Sequence, residues 1–425
     1  MKDKVLLITD KGIALSLLGF VASLPVSITA TQGFFLLGLL LWIVKSAISD
    51  QQSVFSILQS AIGNRQSAIK KMDGLKWGIL LFFLAGILST IFSMDPQQSL
   101  FELRNFVFLL IVYFVGNHVR GIGELKKLLH LLISFSTLTA LIGIGQALLG
   151  IDRAVGPQAI PQTFSEILIL VLSLTWSLVL YYAKGKEQMI LFIEAVLLST
   201  ALVLTYTRGA WLGLFATLGT LFLLCLKKRL PGMSLLRQAG MPVLLIFLYL
   251  LVFFFPRPVA ERTQSIGDVE DSSNAIRLFM WKKSPEILQD YPITGVGLID
   301  LIPIYDLYIA PETSPNLKHF RLGHFHNNFI QVMVQMGLLG LTTFLFLWFN
   351  IIRREYKIFC QIHHSSFIIH HSILLGTLPA VAGFLVSGLF EYNFGDSEVV
   401  MLLFFTVGIA LAVERINNHE QSNRL

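Results

Sequence analysis

Apolar runs of near-membrane length recur along the chain, separated by short polar links. They fall near 12–28, 32–46, 75–93, 104–118, 127–149, 163–182, 188–206, 209–226, 240–255, 327–350, 370–390 and 398–413. A helix needs about 20 apolar residues to cross the hydrocarbon core of a bilayer. In lipid each segment must satisfy its own backbone polar groups, which leaves helices or a closed barrel. The runs do not alternate apolar with polar over about ten residues, as barrel strands do. The pattern therefore predicts an all-α polytopic membrane protein. It has about 12 transmembrane helices in one integral membrane domain, residues 1–425.

One link is long: residues 256–326, between the ninth and tenth spans. Its first part, Arg262 to Asn274, is acidic and turn-rich. In Ala275–Leu288 the apolar positions 276, 279, 280, 287 and 288 approach helical spacing. They predict an amphipathic helix on the outer membrane surface, with Asn274 as N-cap and Pro285 kinking or dividing it. Tyr291-Pro-Ile-Thr-Gly-Val-Gly-Leu298 supplies a turn, and Pro311 and Pro315 punctuate the remainder of the loop. The link ends in Leu322-Gly-His-Phe-His-Asn-Asn-Phe-Ile-Gln331, which runs straight into an apolar helix.

Composition agrees. Of 425 residues, 54% are hydrophobic and 14% charged, with mean hydropathy +0.70; a soluble domain carries about 25% charged residues. The net charge of +6 would suit a nucleic-acid partner, but its placement points to membrane orientation instead. With the N-terminus inside, 22 of the 32 lysines and arginines fall in cytoplasmic links and 10 outside, as the positive-inside rule requires. Both termini are then cytoplasmic and the long loop is external. The apolar N-terminal segment is followed at once by a second, Gly33 to Val44, so an uncleaved helical hairpin is expected rather than a signal peptide. Cys225 lies in a span and Cys360 in a separate link, so no disulfide or thiolate zinc site is expected.

Few residues in such a chain can carry chemistry. Arg208, in Tyr206-Thr-Arg-Gly-Ala-Trp-Leu-Gly213, sits between two apolar runs with almost no link. An arginine there faces a polar cavity or an anion, or snorkels to the interface as an anchor. Its external placement, disfavoured for basic residues, weighs toward function. Arg277 precedes Trp281, Lys282 and Lys283 by about one turn. The lysines suit headgroup attraction, and two arginines on one cavity would clamp a pyrophosphate with their planar forks. His324 and His326 flank Phe325. They read as helix-end polar groups, as a metal pair that lacks an evident third ligand, or as a general base positioned by Asn327 or a backbone group. His363, His364, His370 and His371 read as interfacial. Glu166 and Glu194 lie in or near spans, where either can mark an ion path or a helix end. Glu391 and Asp396 face outside, where they can line the cavity of Arg208.

Three fragments together resemble the O-antigen ligase and polymerase superfamily of bacterial envelope proteins. They are Thr207-Arg-Gly-Ala-Trp-Leu-Gly213, Tyr291 to Leu298, and His324-Phe-His-Asn-Asn-Phe-Ile-Gln331 leading to Gly337-Leu-Leu-Gly340. Ser93-Met-Asp-Pro-Gln-Gln-Ser-Leu100 also looks familial. The resemblance implies transfer of a glycan from undecaprenyl pyrophosphate to an acceptor hydroxyl, lipid A-core or similar, at the periplasmic face of the inner membrane. It implies His326 as catalytic base, Arg208 and Arg277 as the donor pyrophosphate site, and His324, Asn327 and Trp281 in support, with neither cofactor nor metal. Gln335 stands where many relatives carry Glu. A polysaccharide polymerase shares this donor chemistry. From a different class, a small-anion transporter, bicarbonate-like, would want ionisable groups near the midplane, whereas Arg208 and His326 sit at external span ends.

Overall fold

A computed structural model describes residues 2–49, 74–227, 235–254, 259–260, 263, 272–309, 323–362 and 368–422. The described residues are helical nearly throughout, with no strand. The helices are α1 (Lys2–Ser23), α2 (Ile28–Ser49), α3 (Gly74–Ile91), α4 (Pro96–Leu103), α5 (Ile111–His118), α6 (Ile122–Leu148) and α7 (Pro161–Tyr181). They continue as α8 (Gly185–Leu204), α9 (Arg208–Lys227), α10 (Leu235–Phe254), α11 (Ser272–Asp290), α12 (Asn328–Gln361), α13 (Ile368–Ser387) and α14 (Ser397–Ser422).

Eleven segments among the described residues are long and apolar enough to cross a membrane, against the twelve expected. The expected ninth coincides with α10, whose apolar stretch Ala239–Leu250 is shorter than that measure. The protein is a multi-pass membrane protein. α7 is buried along nearly its whole length, and α13 and α14 almost as much, so these three form the centre. α7 packs on α13 and α8, α9 on α13, α3 on α12, and α5 on α14. α1 and α2 pair at the periphery and present leucines such as Leu15, Leu37 and Leu40 outward, as a lipid-facing surface permits.

Several boundaries depart from the apolar pattern. α1 starts at Lys2 rather than near residue 12, because its polar turns find a partner: Lys45 of α2 lies 2.9 Å from Asp10. The expected span 104–118 is two pieces, a 3₁₀ helix over Arg104–Leu110 and α5, and α4 leads into it directly. Cys360 belongs to the last turn of α12, not to a link. His370 and His371 stand in the first turn of α13, buried against the rest of the protein. His363, His364, Pro311, Pro315 and the acidic run Gly267–Asp271 lie outside the described residues.

α11 departs furthest from expectation. It begins before Asn274, which sits in its first turn rather than capping it, and it runs through Pro285. Proline lacks the N–H that would reach the Trp281 carbonyl; the Ser284 hydroxyl donates to that carbonyl instead, at 2.8 Å. The apolar stripe Ile276, Met280 and Ile287 packs into a second small core with Val296, Ile304, Phe325 and Val334. It is spent on protein rather than left for a lipid surface.

The familial glycines act at a break in α12. Gly337 has φ +65° and ψ −164°, which interrupts the helix. The N–H groups of Leu338 and Leu339 turn to the carbonyls of Pro292 and Ile293, at 2.9 and 3.2 Å. The carbonyls they leave, Val334 and Gln335, accept from Val296 and Gly297, at 3.0 and 2.9 Å. Two helical bonds are thus exchanged for four with Tyr291–Leu298, so the N–H and C=O groups freed at the break regain partners. The end of α3 joins the same junction: Ser89 donates to the Gln335 carbonyl at 2.8 Å, and Met94 N–H to Val296 at 2.9 Å. Asp95 then caps α4, with Pro96 in its first turn. At Gly295, φ +69°, an added Cβ would lie 2.4 Å from the Gln335 backbone. Gly295→Ala should therefore cost about 1–3 kcal/mol or more, read as a lower melting temperature of the purified protein in detergent. Gly145→Ala, where nothing lies within 4 Å, should leave the melting temperature unchanged or slightly raised; equal behaviour of the two variants would contradict this close backbone contact.

Candidate functional site

The segment that enters α12 is held in an unusual backbone conformation. His326 has φ +48°, in the left-handed region that a non-glycine residue seldom adopts. Its neighbours hold it there. The Phe325 N–H donates to Gln331 Oε1 at 2.9 Å, and the Phe325 carbonyl accepts from Trp281 Nε1 at 2.7 Å. The Phe325 ring is fully buried in the second core. On the other side Asn327 caps α12, accepting from Phe329 and Ile330 N–H at 2.9 and 3.1 Å and donating to the Leu389 carbonyl at 3.0 Å. Asn327 and Trp281 thus fix the backbone around His326, and the imidazole itself is oriented by another group.

That group is Glu391. Its Oε1 lies 2.7 Å from His326 Nδ1 and its Oε2 3.3 Å from the Arg277 guanidinium. The carboxylate is buried. Burial pushes its pKa up, but the hydrogen bond and charge of His326, with the charges of Arg277 and His324, outweigh this and hold it at about 2. It is an anion throughout the neutral range. Engaging Nδ1 leaves Nε2 as the nitrogen of His326 that can take up a proton.

The turn that carries Glu391, residues 388–396, is itself anchored. Asn328 donates its N–H to the Gly388 carbonyl at 2.7 Å and accepts from Phe394 N–H at 3.0 Å. Its side-chain amide reaches Asn393, which donates to Glu166 Oε2 at 3.0 Å; Ser387 donates to Glu166 Oε1. Glu166, on α7, is therefore a buried anchor for this turn rather than a free carboxylate on a path. Asp396 accepts from Thr163 at 2.7 Å. Burial pushes its carboxyl up to about 7, with the charges of Glu391 and Glu398 adding to the effect and Thr163 opposing it.

Arg208 opens α9, and its guanidinium donates to Asn274 Oδ1 at 3.0 Å. Asn274 and Arg277 share the first turns of α11, so both arginines are gathered at one helix end, where positions three apart are neighbours. The turn before Arg208 is strained as well: Tyr206 has φ +51°. Arg153 latches it, donating to the Thr205 carbonyl at 2.8 Å and to Thr207 Oγ1 at 3.1 Å. Tyr206 and His326 are the only described non-glycine residues in the left-handed region, and both lie at this site.

His324 packs edge-on against His326, with ring centroids 4.1 Å apart, and its Nδ1 is buried with no hydrogen-bond partner among the described residues. Burial, reinforced by His326, lowers its pKa to about 4, so the ring is neutral near pH 7. The third metal ligand missing from the sequence spacing is present in space: ligand atoms of His324, His326 and Glu391 lie within 4.8 Å of one another. Both Glu391 oxygens already accept, from His326 and from Arg277, so an ion here would compete with at least one of these bonds.

The sequence reading singles out His324, His326 and Asn327 at the end of the long loop, Arg277 and Trp281 in its helix and Arg208 between two spans, and the fold gathers them. It missed the central role of Glu391, 65 residues away from His326, and the latch made by Arg153. A family model described as O-antigen ligase matches residues 193–345, a stretch that holds all six of those residues. The match supports the superfamily that the motifs resemble. A search of curated proteins gives no match.

The raised pKa of Asp396 has a sign. Stability tied to its protonated form is present below its ordinary value of 3.8 and is lost as the pH rises through about 7. Asp396→Asn should remove that slope and raise the melting temperature relative to wild type at pH 8 more than at pH 5. A variant tracking wild type at both values would contradict the burial of this carboxyl.

Proposed function

We propose that this protein is an O-antigen ligase-type glycan transferase, moving a glycan from undecaprenyl pyrophosphate to an acceptor hydroxyl. The observation that carries this reading is the Glu391 carboxylate, which contacts the candidate base His326 and the candidate donor clamp Arg277 at once. A glycosyl pyrophosphate already has a good leaving group, so catalysis needs charge stabilisation more than a strong acid. The acceptor O–H loses its proton to His326 Nε2 as its oxygen attacks C1. The bond from C1 to the pyrophosphate oxygen breaks, the electron pair leaves with undecaprenyl pyrophosphate, and the anomeric centre inverts. Arg208 and Arg277 hold the departing charge with fixed guanidinium forks.

In this reading the site faces the periplasm at the inner membrane and both termini are cytoplasmic, supported by the basic cytoplasmic links. A polymerase would use the same donor chemistry with a second lipid-linked glycan as acceptor, and the product of a transfer assay separates the two. The charge work falls to guanidinium groups, so transfer should persist in chelator.

Purified protein incubated with undecaprenyl-pyrophosphate glycan and candidate acceptors should form product. His326→Ala should insert normally and lose about 10²–10⁴-fold in rate; near-normal transfer would sink the assignment of the base. Lysine at Arg208 or Arg277 keeps the charge and loses the fork, so each should slow transfer on the order of tenfold, the value of one charge-assisted hydrogen bond. Wild-type turnover with lysine at both positions would contradict the clamp.

A further inference from the structure

A cavity of about 450 Å³ opens beside His324, within the size range of small-ligand pockets. His326, Glu391 and the two arginines are not part of its lining. One wall is the junction at the break in α12, including Gln335, and another is α4 with the adjoining 3₁₀ turn. The carboxylates of Glu102 and Asp300 stand in it, with the amides of Gln98 and Asn105. Asn105 is held by Glu102 at 2.8 Å, and Gln335 donates to the Ile299 carbonyl at 2.9 Å while accepting from Tyr392. Phe106, Phe394 and Phe404 supply aromatic surface.

Among the described residues the charge of this lining is one-sided. No lysine or arginine is among them, although the chain carries 32. His324, the one basic side chain among them, is neutral near pH 7. Carboxylates and amides beside aromatic faces suit a sugar, whose hydroxyls both donate and accept and whose C–H faces lie on rings. The same lining repels a phosphate, since like charges held close in a partly desolvated cavity interact strongly.

We propose that this cavity binds the terminal sugar of the acceptor, and that this sugar carries no phosphate or other negative charge. Its identity as acceptor rests on the transfer reading. The donor pyrophosphate belongs with Arg208 and Arg277, whereas the cavity is walled by the ring packed on His326, the base that takes the acceptor proton. Gln98 and Glu102, on the same face of α4, select the sugar.

The test has two arms. Saturation-transfer NMR on the full chain in nanodiscs uses glucose, galactose, mannose and N-acetylglucosamine, with glucose 6-phosphate and mannose 6-phosphate as charged counterparts. At least one neutral sugar should bind, the phosphates about tenfold more weakly or worse. Gln98→Ala should weaken the neutral sugar and Glu102→Lys should narrow or reverse the discrimination, while Arg208→Lys should leave neutral-sugar binding in place. Absence of any neutral-sugar binding, equal binding of the phosphates, or indifference to both α4 variants would overturn the proposal. In the transfer assay, Gln98→Ala should raise KM for acceptor about tenfold and leave KM for donor unchanged. A rise in donor KM instead would place the donor sugar in the cavity and overturn the acceptor assignment. Sugar binding that responds to both α4 variants without transfer to any acceptor would overturn the transfer reading and leave the sugar site standing.

Discussion

A carboxylate taken out of water must be paired, or it gives up its charge. Glu391 is buried and ionised because His326 and Arg277 each contribute a bond to it. Removing either partner would leave the buried anion with only the other to compensate it. The same constraint acts on the chain around it: Asn328, Asn393, Ser387 and Glu166 fix the turn from which Glu391 projects. Phe325, clamped through its N–H and its carbonyl, delivers His326 in a left-handed conformation. Strain of this kind persists where the surroundings over-determine it, and such places cluster at functional sites. Tyr206, held by the latch from Arg153, repeats the arrangement next to Arg208.

The second organising feature is the break in α12. A continuous helix would bury its own carbonyls and offer nothing to Tyr291–Leu298. With Gly337 left-handed, four backbone bonds tie the loop to α12, and the bonds from Ser89 and Met94 join the end of α3 to the same unit. That unit sets where α11 lies relative to α12, and hence how Arg277 meets Glu391. It also forms a wall of the cavity beside His324, so this cavity and the His326–Glu391 pair are positioned by the same junction.

Much of this was legible in the chain. Runs of about 20 apolar residues predict helices because lipid permits little else, and Arg208 stands out because basic residues are disfavoured on the external side. The tenth span is expected from about residue 327, and Asn327 caps α12. What was not legible depends on long-range pairing. Glu391 follows an apolar span like many helix-end carboxylates, and only the fold brings it to His326. The stripe of α11 is the same pattern whether it meets lipid or a second core; the presence of Val296, Ile304 and Phe325 decides for the core. Asn274 has the composition of a cap, yet Arg208 claims its side chain. Pro285 reads as a break, and Ser284 offsets it locally.

If one carboxylate orients the base and pairs with the donor clamp, neutralising it without changing its shape should disable both. The direct measurement is kcat/KM for glycan transfer by Glu391→Gln, in protein shown to insert and to melt like wild type. A loss of about 10²-fold or more is expected for a partner that fixes a functional histidine. Transfer within a factor of two or so of wild type would contradict the claim that Glu391 organises the site.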